Sequence, residues 1–245
     1  LEADLIAASA RAGQFVMLRF GGAWDPFLPR PMSISDVLPP EAGKPGRIQV
    51  LHKIVGRGTD RLARLRAGEN LQVLGPLGRP FEIPAGTAKG PALMVAGGIG
   101  VAIFPFLVGA LQRAGLHPIL LFGARGTHDL VRLEWFASRS VETRTATEDG
   151  SHGRKGLVTD LLKEAIQSSP GAIVYACGPH AMLEATSGVV VPAGIPAQLS
   201  LESYMGCGIG ACLGCVVKSR TAEGWAYRRI CVDGPTFAAA EILWR

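Results

Sequence analysis

Four of the five cysteines in this 245-residue chain lie near its C-terminal end, at Cys207, Cys212, Cys215 and Cys231. The first three are spaced C-x4-C-x2-C and the fourth follows sixteen positions on, the plant-type order for four thiolates around a [2Fe–2S] cluster. Structural zinc is the competing reading. Zinc sites usually pair two short C-x2-4-C knuckles, whereas here one C-x2-C stands with one C-x4-C and a single distant cysteine. The spacing favours iron and sulfur. Glycines at 206, 208, 210 and 214 offer the positive-φ freedom that lets a short loop wrap an inorganic core with its N–H groups toward sulfur. Such a cluster needs a group with which to exchange electrons.

Several other stretches could bind one. In Arg30-Pro31-Met32-Ser33-Ile34-Ser35 a guanidinium beside an extended strand can pair with a pyrophosphate, and serine hydroxyls and strand amides can bond a flavin edge. An ordinary strand opened by a proline explains the same six residues equally well. Gly56-Arg57-Gly58-Thr59-Asp60 follows a strand and opens a helix expected over 59–67, with Thr59 as its N-cap. That is a phosphate site or simply a capped loop–helix junction. Gly97-Gly98-Ile99-Gly100 puts a tight turn before a helix, but the third glycine of the usual dinucleotide fingerprint is missing. The following strand ends Gly123-Ala124-Arg125 with no acid to hold a ribose, so a variant pyrophosphate site is expected rather than a standard one. Arg125 suits a 2′-phosphate or a solvated surface. Cys177-Gly178-Pro179-His180 falls at the C-terminal end of a strand, where ligands of open α/β sheets bind. Cys177 is there to touch a nicotinamide or is a buried apolar thiol. The loop at 148–153 reads as a solvated turn. The five histidines show no metal spacing.

The elements that must position these residues fall into three parts. Strand-like runs at 14–20, 47–55 and 70–74, punctuated by Gly and Pro, suggest a small antiparallel β-barrel over 1–89. From 90 to 196 strands alternate with helices: strands at 91–96, 118–123, 141–147 and 172–176, helices at 101–114, 127–138, 159–167 and 179–186. That rhythm predicts a doubly wound parallel sheet. The region 197–245 holds a strand at 197–202, the cysteine loop and a strand at 225–233 carrying Cys231. Leu74-Gly75-Pro76-Leu77-Gly78 and the Pro/Gly-rich 80–90 read as the barrel exit and a linker.

Composition narrows the classes. The chain carries 25 basic and 20 acidic residues, a net charge of +5, and apart from a modest Arg57, Arg61, Arg64, Arg66 set the basic residues are scattered, without aromatic interleaving, so nucleic acid is not an expected partner. No apolar run approaches the length of a membrane span. Cysteines crowded into one segment suit a metal centre in a reduced, cytoplasmic compartment rather than a secreted disulfide framework.

In order along the chain, 30–35, 56–59, 74–78, 97–100, 177–179 and the cysteine loop resemble the ferredoxin–NADP reductase superfamily. More narrowly, Glu148-Asp149-Gly150-Ser151, Lys155-Gly156, Ser200-Leu201-Glu202, the run 207–215 and the run 229–235 resemble the electron-transfer subunits of NAD-dependent, two-subunit dihydroorotate dehydrogenases. The resemblance implies FAD held by the barrel, lined by Arg30, Pro31, Met32, Ser33, Leu51, His52 and Lys53, with Gly58 and Thr59 on its phosphates. It implies NAD near Gly97, Gly98, Gly100, Cys177, Gly178 and Pro179, and a [2Fe–2S] cluster on Cys207, Cys212, Cys215 and Cys231. It further implies an FMN-containing catalytic subunit as partner, in a two-plus-two heterotetramer of pyrimidine biosynthesis. Members usually carry one more strand before the segment equivalent to 1–13, so the barrel is expected to start late here. Reductase subunits linked to ferredoxin or sulfide resemble it too, but have Asp in place of the first cysteine, which Cys207 argues against. A zinc-stabilised binding module is the non-enzymatic alternative.

Overall fold

A computed structural model describes residues 1–21, 25–84 and 90–244. The expected boundary at 89 lies outside them. The N-terminal part contains α1 (Asp4–Ser9), β1 (Phe15–Phe20), β2 (Arg30–Ser33), β3 (Asp36–Leu38), β4 (Arg47–Gln49), α2 (Arg57–Ala63) and β5 (Leu71–Leu77). Among the described residues its strands pair as a three-stranded antiparallel sheet, β2-β1-β5, and a separate β3-β4 pair. The Ser35 N–H donates to the Gln49 carbonyl at 2.8 Å and joins the two. The strand expected over 47–55 stops at Gln49. Beyond it the chain turns to face a cavity, and the His52 ring nitrogen lies 3.2 Å from the Thr59 carbonyl.

The middle part runs β6 (Ala92–Gly97), α3 (Phe104–Arg113), β7 (Pro118–Ala124), α4 (Leu133–Ser138), β8 (Glu142–Thr147), β9 (Arg154–Lys155), α5 (Val158–Ser168), β10 (Ile173–Cys177) and α6 (His180–Val190). After it come β11 (Ala197–Ser200), β12 (Val216–Thr221), β13 (Gly224–Arg229), α7 (Ile230–Asp233) and β14 (Thr236–Ala238). One seven-stranded sheet has the order β14-β11-β10-β6-β7-β8-β9. All its pairings are parallel except that of β14 with β11.

Alternation along the central strands explains the double winding. Met94 and Ala96 of β6, with Leu120 and Phe122 of β7, pack with Phe104 and Leu107 of α3. Leu93, Val95, Ile119 and Leu121 point the other way and pack with Leu161 and Leu162 of α5. Both faces are covered, so these strands read as continuous apolar runs. Each such large side chain contributes about 1.5–3 kcal/mol on burial.

Two expected helices are shorter than their sequence pattern. Residues 98–103 form a six-residue 3-10 turn, and α3 begins only at Phe104, where Pro105, lacking an N–H, is tolerated in a first turn. The run 127–138 splits because Arg132 takes a left-handed φ of 68°. The strand expected to continue through Cys231 ends at Arg229. There the Asp233 carboxylate accepts the Arg229 N–H at 2.8 Å, and the chain turns into α7.

Tyr175 ties the sheet to the segment arriving from the N-terminal part: its hydroxyl donates to the Glu82 carbonyl at 3.0 Å, and its ring meets Phe81 edge-on at 5.2 Å. That carbonyl also accepts from Gln198 Nε2 at 2.7 Å, so it keeps a partner when the hydroxyl is removed. Tyr175→Phe should therefore cost only about 1 kcal/mol, read as a modest shift in a urea unfolding midpoint, whereas Tyr175→Ala should cost about 3–5 kcal/mol.

Candidate functional site

A cavity of about 290 Å³ opens where the three parts of the chain meet. From the N-terminal sheets it is walled by Phe15, Pro31, Met32, Ser33, Leu51, His52, Lys53, Val55 and Thr59. The turn after β6 adds Ile99, Ala102 and Ile103, and the segment after β11 adds Ser200, Leu201, Glu202, Ser203 and Met205. Every lining residue expected on the strand 30–33 and its neighbour, except Arg30, is present. Arg30 stands just outside, with its guanidinium against the backbone of Gly58. A Cβ at Gly58 would fall 2.2 Å from Arg30 Nε, so a larger residue there would displace the guanidinium. Thr59 is not the N-cap that the sequence suggested. It sits one turn inside α2, where its hydroxyl oxygen accepts the N–H groups of Val55 at 2.9 Å and Gly56 at 3.2 Å. Those amides are therefore already engaged. Lys53 reaches across to Asp129 and forms an ion pair at 2.7 Å.

The nucleotide-type turn and the end of β10 form a packed junction. A Cβ at Gly100 would lie 2.3 Å from the Cys177 carbonyl oxygen and 2.7 Å from Gly178 Cα, so the backbones touch. Gly98, at φ 51°, has nothing within 4 Å of such a position and faces open space. Cys177 is fully buried and is not among the cavity-lining residues. Burial, with Glu202 nearby, pushes its thiol well above the ordinary value. The crevice itself is where the strand order reverses: β7 and β8 lie to one side of β6, β10 and β11 to the other. Ligands of open α/β sheets bind outside such a point.

Glu202 carried no assigned role in the sequence. Much of its surface is open to the cavity, yet protein atoms surround it, and the lost hydration raises its carboxyl above the usual range. The signal was positional. Ser200 pairs with Cys177 at the C-terminal ends of β11 and β10, so the residues just beyond it had to enter the crevice.

The four C-terminal cysteines are all free thiols, grouped in two pairs. The Cys207 sulfur accepts the Cys212 N–H at 3.4 Å. That bond and one from the Ile209 N–H hold the Cys207 thiol down to about 6. Cys215 and Cys231 are buried beside each other, and burial followed by the neighbouring Cys215 pushes the Cys231 thiol up to about 12. Among the described residues no three His, Cys, Asp or Glu side chains gather as a site for one metal ion. The two pairs adjoin, since Cys207 also acts electrostatically on Cys231, so all four are at hand for a two-iron cluster, in which four cysteines serve both irons. Of the four loop glycines only Gly208 and Gly210 have positive φ. Gly206 and Gly214 lie beside the Cys212 sulfur, where a Cβ would make ordinary contact, and Leu213 takes the remaining left-handed position at φ 55°.

Residues 202–243 match the family model described as the iron–sulfur cluster binding domain of dihydroorotate dehydrogenase B, and residues 94–188 match the oxidoreductase NAD-binding domain. Among solved structures, one reported for an NADH-dependent reduced ferredoxin-NADP oxidoreductase, in a study of flavin-based electron bifurcation, superposes with a TM-score of 0.83. It is 28% identical and covers 99% of this chain and 83% of the other. A ferredoxin reductase of carbazole 1,9a-dioxygenase shares the fold at a TM-score of 0.65 and 23% identity, over 77% of this chain and 58% of that one. Fold and matched domains define an oxidoreductase of the ferredoxin-reductase type with an iron–sulfur domain at its C-terminal end. The chain is 37% identical to the dihydroorotate dehydrogenase B (NAD(+)) electron transfer subunit of Desulforamulus reducens, over 99% of this chain and 90% of the relative. It is 38% identical to that of Geobacillus thermodenitrificans, over 99% and 91%. It belongs to the family of electron transfer subunits of NAD-dependent dihydroorotate dehydrogenase B.

The contact at Gly100 yields a direct test. Gly100→Ala must push the turn after β6 away from the end of β10, at a cost of about 1–3 kcal/mol for an overpacked contact. A lowered melting temperature together with weaker NADH binding, measured by titration calorimetry, is the expected result.

Proposed function

We propose that this chain carries electrons between NAD and an FMN-containing dihydroorotate dehydrogenase catalytic subunit, through FAD in the central cavity and a [2Fe–2S] cluster on the cysteine loop. The observation that carries the reading is the cavity itself. Its walls come from the N-terminal sheets, from the nucleotide-type turn at Ile99, and from the segment leading into the cysteine loop at Met205. One group placed there touches all three. A flavin, when bound, supplies both hydride exchange with nicotinamide and one-electron exchange with a cluster.

The chain's own residues bind, orient and shield. Pro31, Met32, Ser33, Leu51, His52 and Lys53 would line the flavin ring. Arg30, held over Gly58, supplies a fixed cation for the pyrophosphate, with Thr59 beside it. Gly97, Gly98 and Gly100, with Gly178 and Pro179, would bound the NAD crevice. Cys177, buried under that crevice, shapes it without acting as a nucleophile. Cys207 with Cys212 and Cys215 with Cys231 would hold the cluster, and amides aimed at sulfur tune it. No side chain is asked to act as acid or base.

The division into 1–89 as an FAD-binding part built as a small antiparallel barrel, 90–196 for NAD and 197–245 for the cluster accompanies this reading. Strands β11 and β14 are the means by which the third part joins the sheet of the second. Assembly as a two-plus-two heterotetramer, a role in pyrimidine biosynthesis and a cytoplasmic location belong to the same proposal. No helix among the described residues is long and apolar enough to cross a membrane.

The visible spectrum and metal content of the purified full chain test it. Flavin bands with cluster absorption, and iron to flavin near two to one, are expected for a [2Fe–2S] flavoprotein. A colourless, zinc-containing protein would sink the proposal. Cys207→Asp should lose or perturb the cluster and stop electron delivery to the catalytic subunit while FAD remains bound. Loss of both groups together would show that the two sites do not fold independently. Co-purification with an FMN-containing subunit that forms orotate separates this reading from a ferredoxin-linked reductase.

A further inference from the structure

The run Leu74-Gly75-Pro76-Leu77-Gly78, expected as a barrel exit, ends β5 beside the cysteine loop instead of leading away from it. A Cβ built at Gly208 would stand 2.5 Å from Met17 Cγ, 2.9 Å from Met17 Sδ and 3.3 Å from Leu77 Cδ1. The backbone at Gly208 therefore lies directly on Met17 of β1 and Leu77 of β5. A second junction secures the far side of the cluster segment. The Arg79 N–H donates to the Gly234 carbonyl, and Thr236 Oγ1 donates to the Pro80 carbonyl at 2.9 Å. Met17 is 2% exposed. Two residues before it, on the same face of β1, Phe15 lines the central cavity, a step of about 7 Å along a strand.

We propose that Gly208 is a positioning residue for electron transfer: by presenting no side chain to Met17, it seats the cysteine loop on the strand that walls the cavity and so fixes the spacing between flavin and cluster. The role is separate from ligation, because Gly208 offers the cluster no sulfur. It is also separate from the φ of 74° at this position, which concerns the loop's own backbone and not what lies under it.

This inference rests on the reading of flavin and cluster given above, and the experiment distinguishes the two. The full chain with both groups bound is mixed anaerobically with NADH, and bleaching of flavin and of cluster is followed separately by stopped flow. When bound, the flavin would take a hydride (two electrons with one proton) from NADH, and the cluster would accept one of those electrons while the other stays on the flavin. Wild-type protein that bleaches neither would overturn the underlying reading, and this inference with it. For Gly208→Ala the expected result is flavin bleaching at the wild-type rate, an unchanged cluster EPR spectrum, and cluster bleaching slowed about tenfold or more, as for a misplaced reacting group. Adding Met17→Ala, which removes the two nearest atoms the new Cβ would meet and leaves only Leu77 Cδ1 at 3.3 Å, should restore most of the loss. If Gly208→Ala assembles no cluster, Met17→Phe crowds the same contact with the cysteine loop intact and should show the same split. Unchanged cluster bleaching in the variant that retains its cluster, or a slow Gly208→Ala that Met17→Ala does not relieve, would overturn the inference.

Discussion

Strand β1 is buried on both faces, and the rest of the molecule is arranged around that fact. Val16, Leu18 and Phe20 point into the core shared with Ile34, Ile48 and Leu62 of the N-terminal part. Phe15 and Met17 point the opposite way, into the core that holds Leu199, Leu201, Met205, Cys215 and Cys231. A strand's side chains alternate between faces, so a single six-residue element is the floor of one part of the chain and the wall of another. An antiparallel sheet with one solvated face would show polar residues at alternate positions. Here only Arg19 is exposed.

Burial on both faces constrains what can lie against the strand. The cysteine loop has few apolar side chains to offer, and Ile209 and Leu213 point away into solvent. It covers β1 with backbone and thiols instead, which requires residues that take up no room. The same economy appears at the crevice, where Gly100 meets the end of β10. In both places two chain segments meet backbone against neighbour, which leaves no room for a side chain at the glycine.

This division explains what could be read in the sequence. The cysteine spacing was legible because ligation fixes residue type and interval without reference to the rest of the fold. The parallel sheet was legible because strands covered on both faces form unbroken apolar runs such as Leu93-Met94-Val95-Ala96. What escaped depended on distant partners. The 47–55 run alternates like a strand, but beyond Gln49 it is shaped by the cavity and by Thr59. Cys231 looked like a strand residue, yet a carboxylate two positions later turns its segment into a helix. Thr236–Ala238 is too short to announce itself and becomes a strand only because β11 offers it an edge.

The C-terminal segment is more deeply built into the fold than its separate chemistry suggests. From the sheet it borrows β11 and β14; from the N-terminal part, the surface of β1 and β5. Between β11 and β14 lie all four of the clustered cysteines, from Cys207 to Cys231. A segment tethered at one end could swing toward a partner and carry its electrons by moving. With β11 and β14 both paired in the sheet and Gly208 resting on Met17, it is anchored at both ends and at one point between them. Ile209, Leu213 and Cys212 stay exposed at the loop, and no element among the described residues covers them.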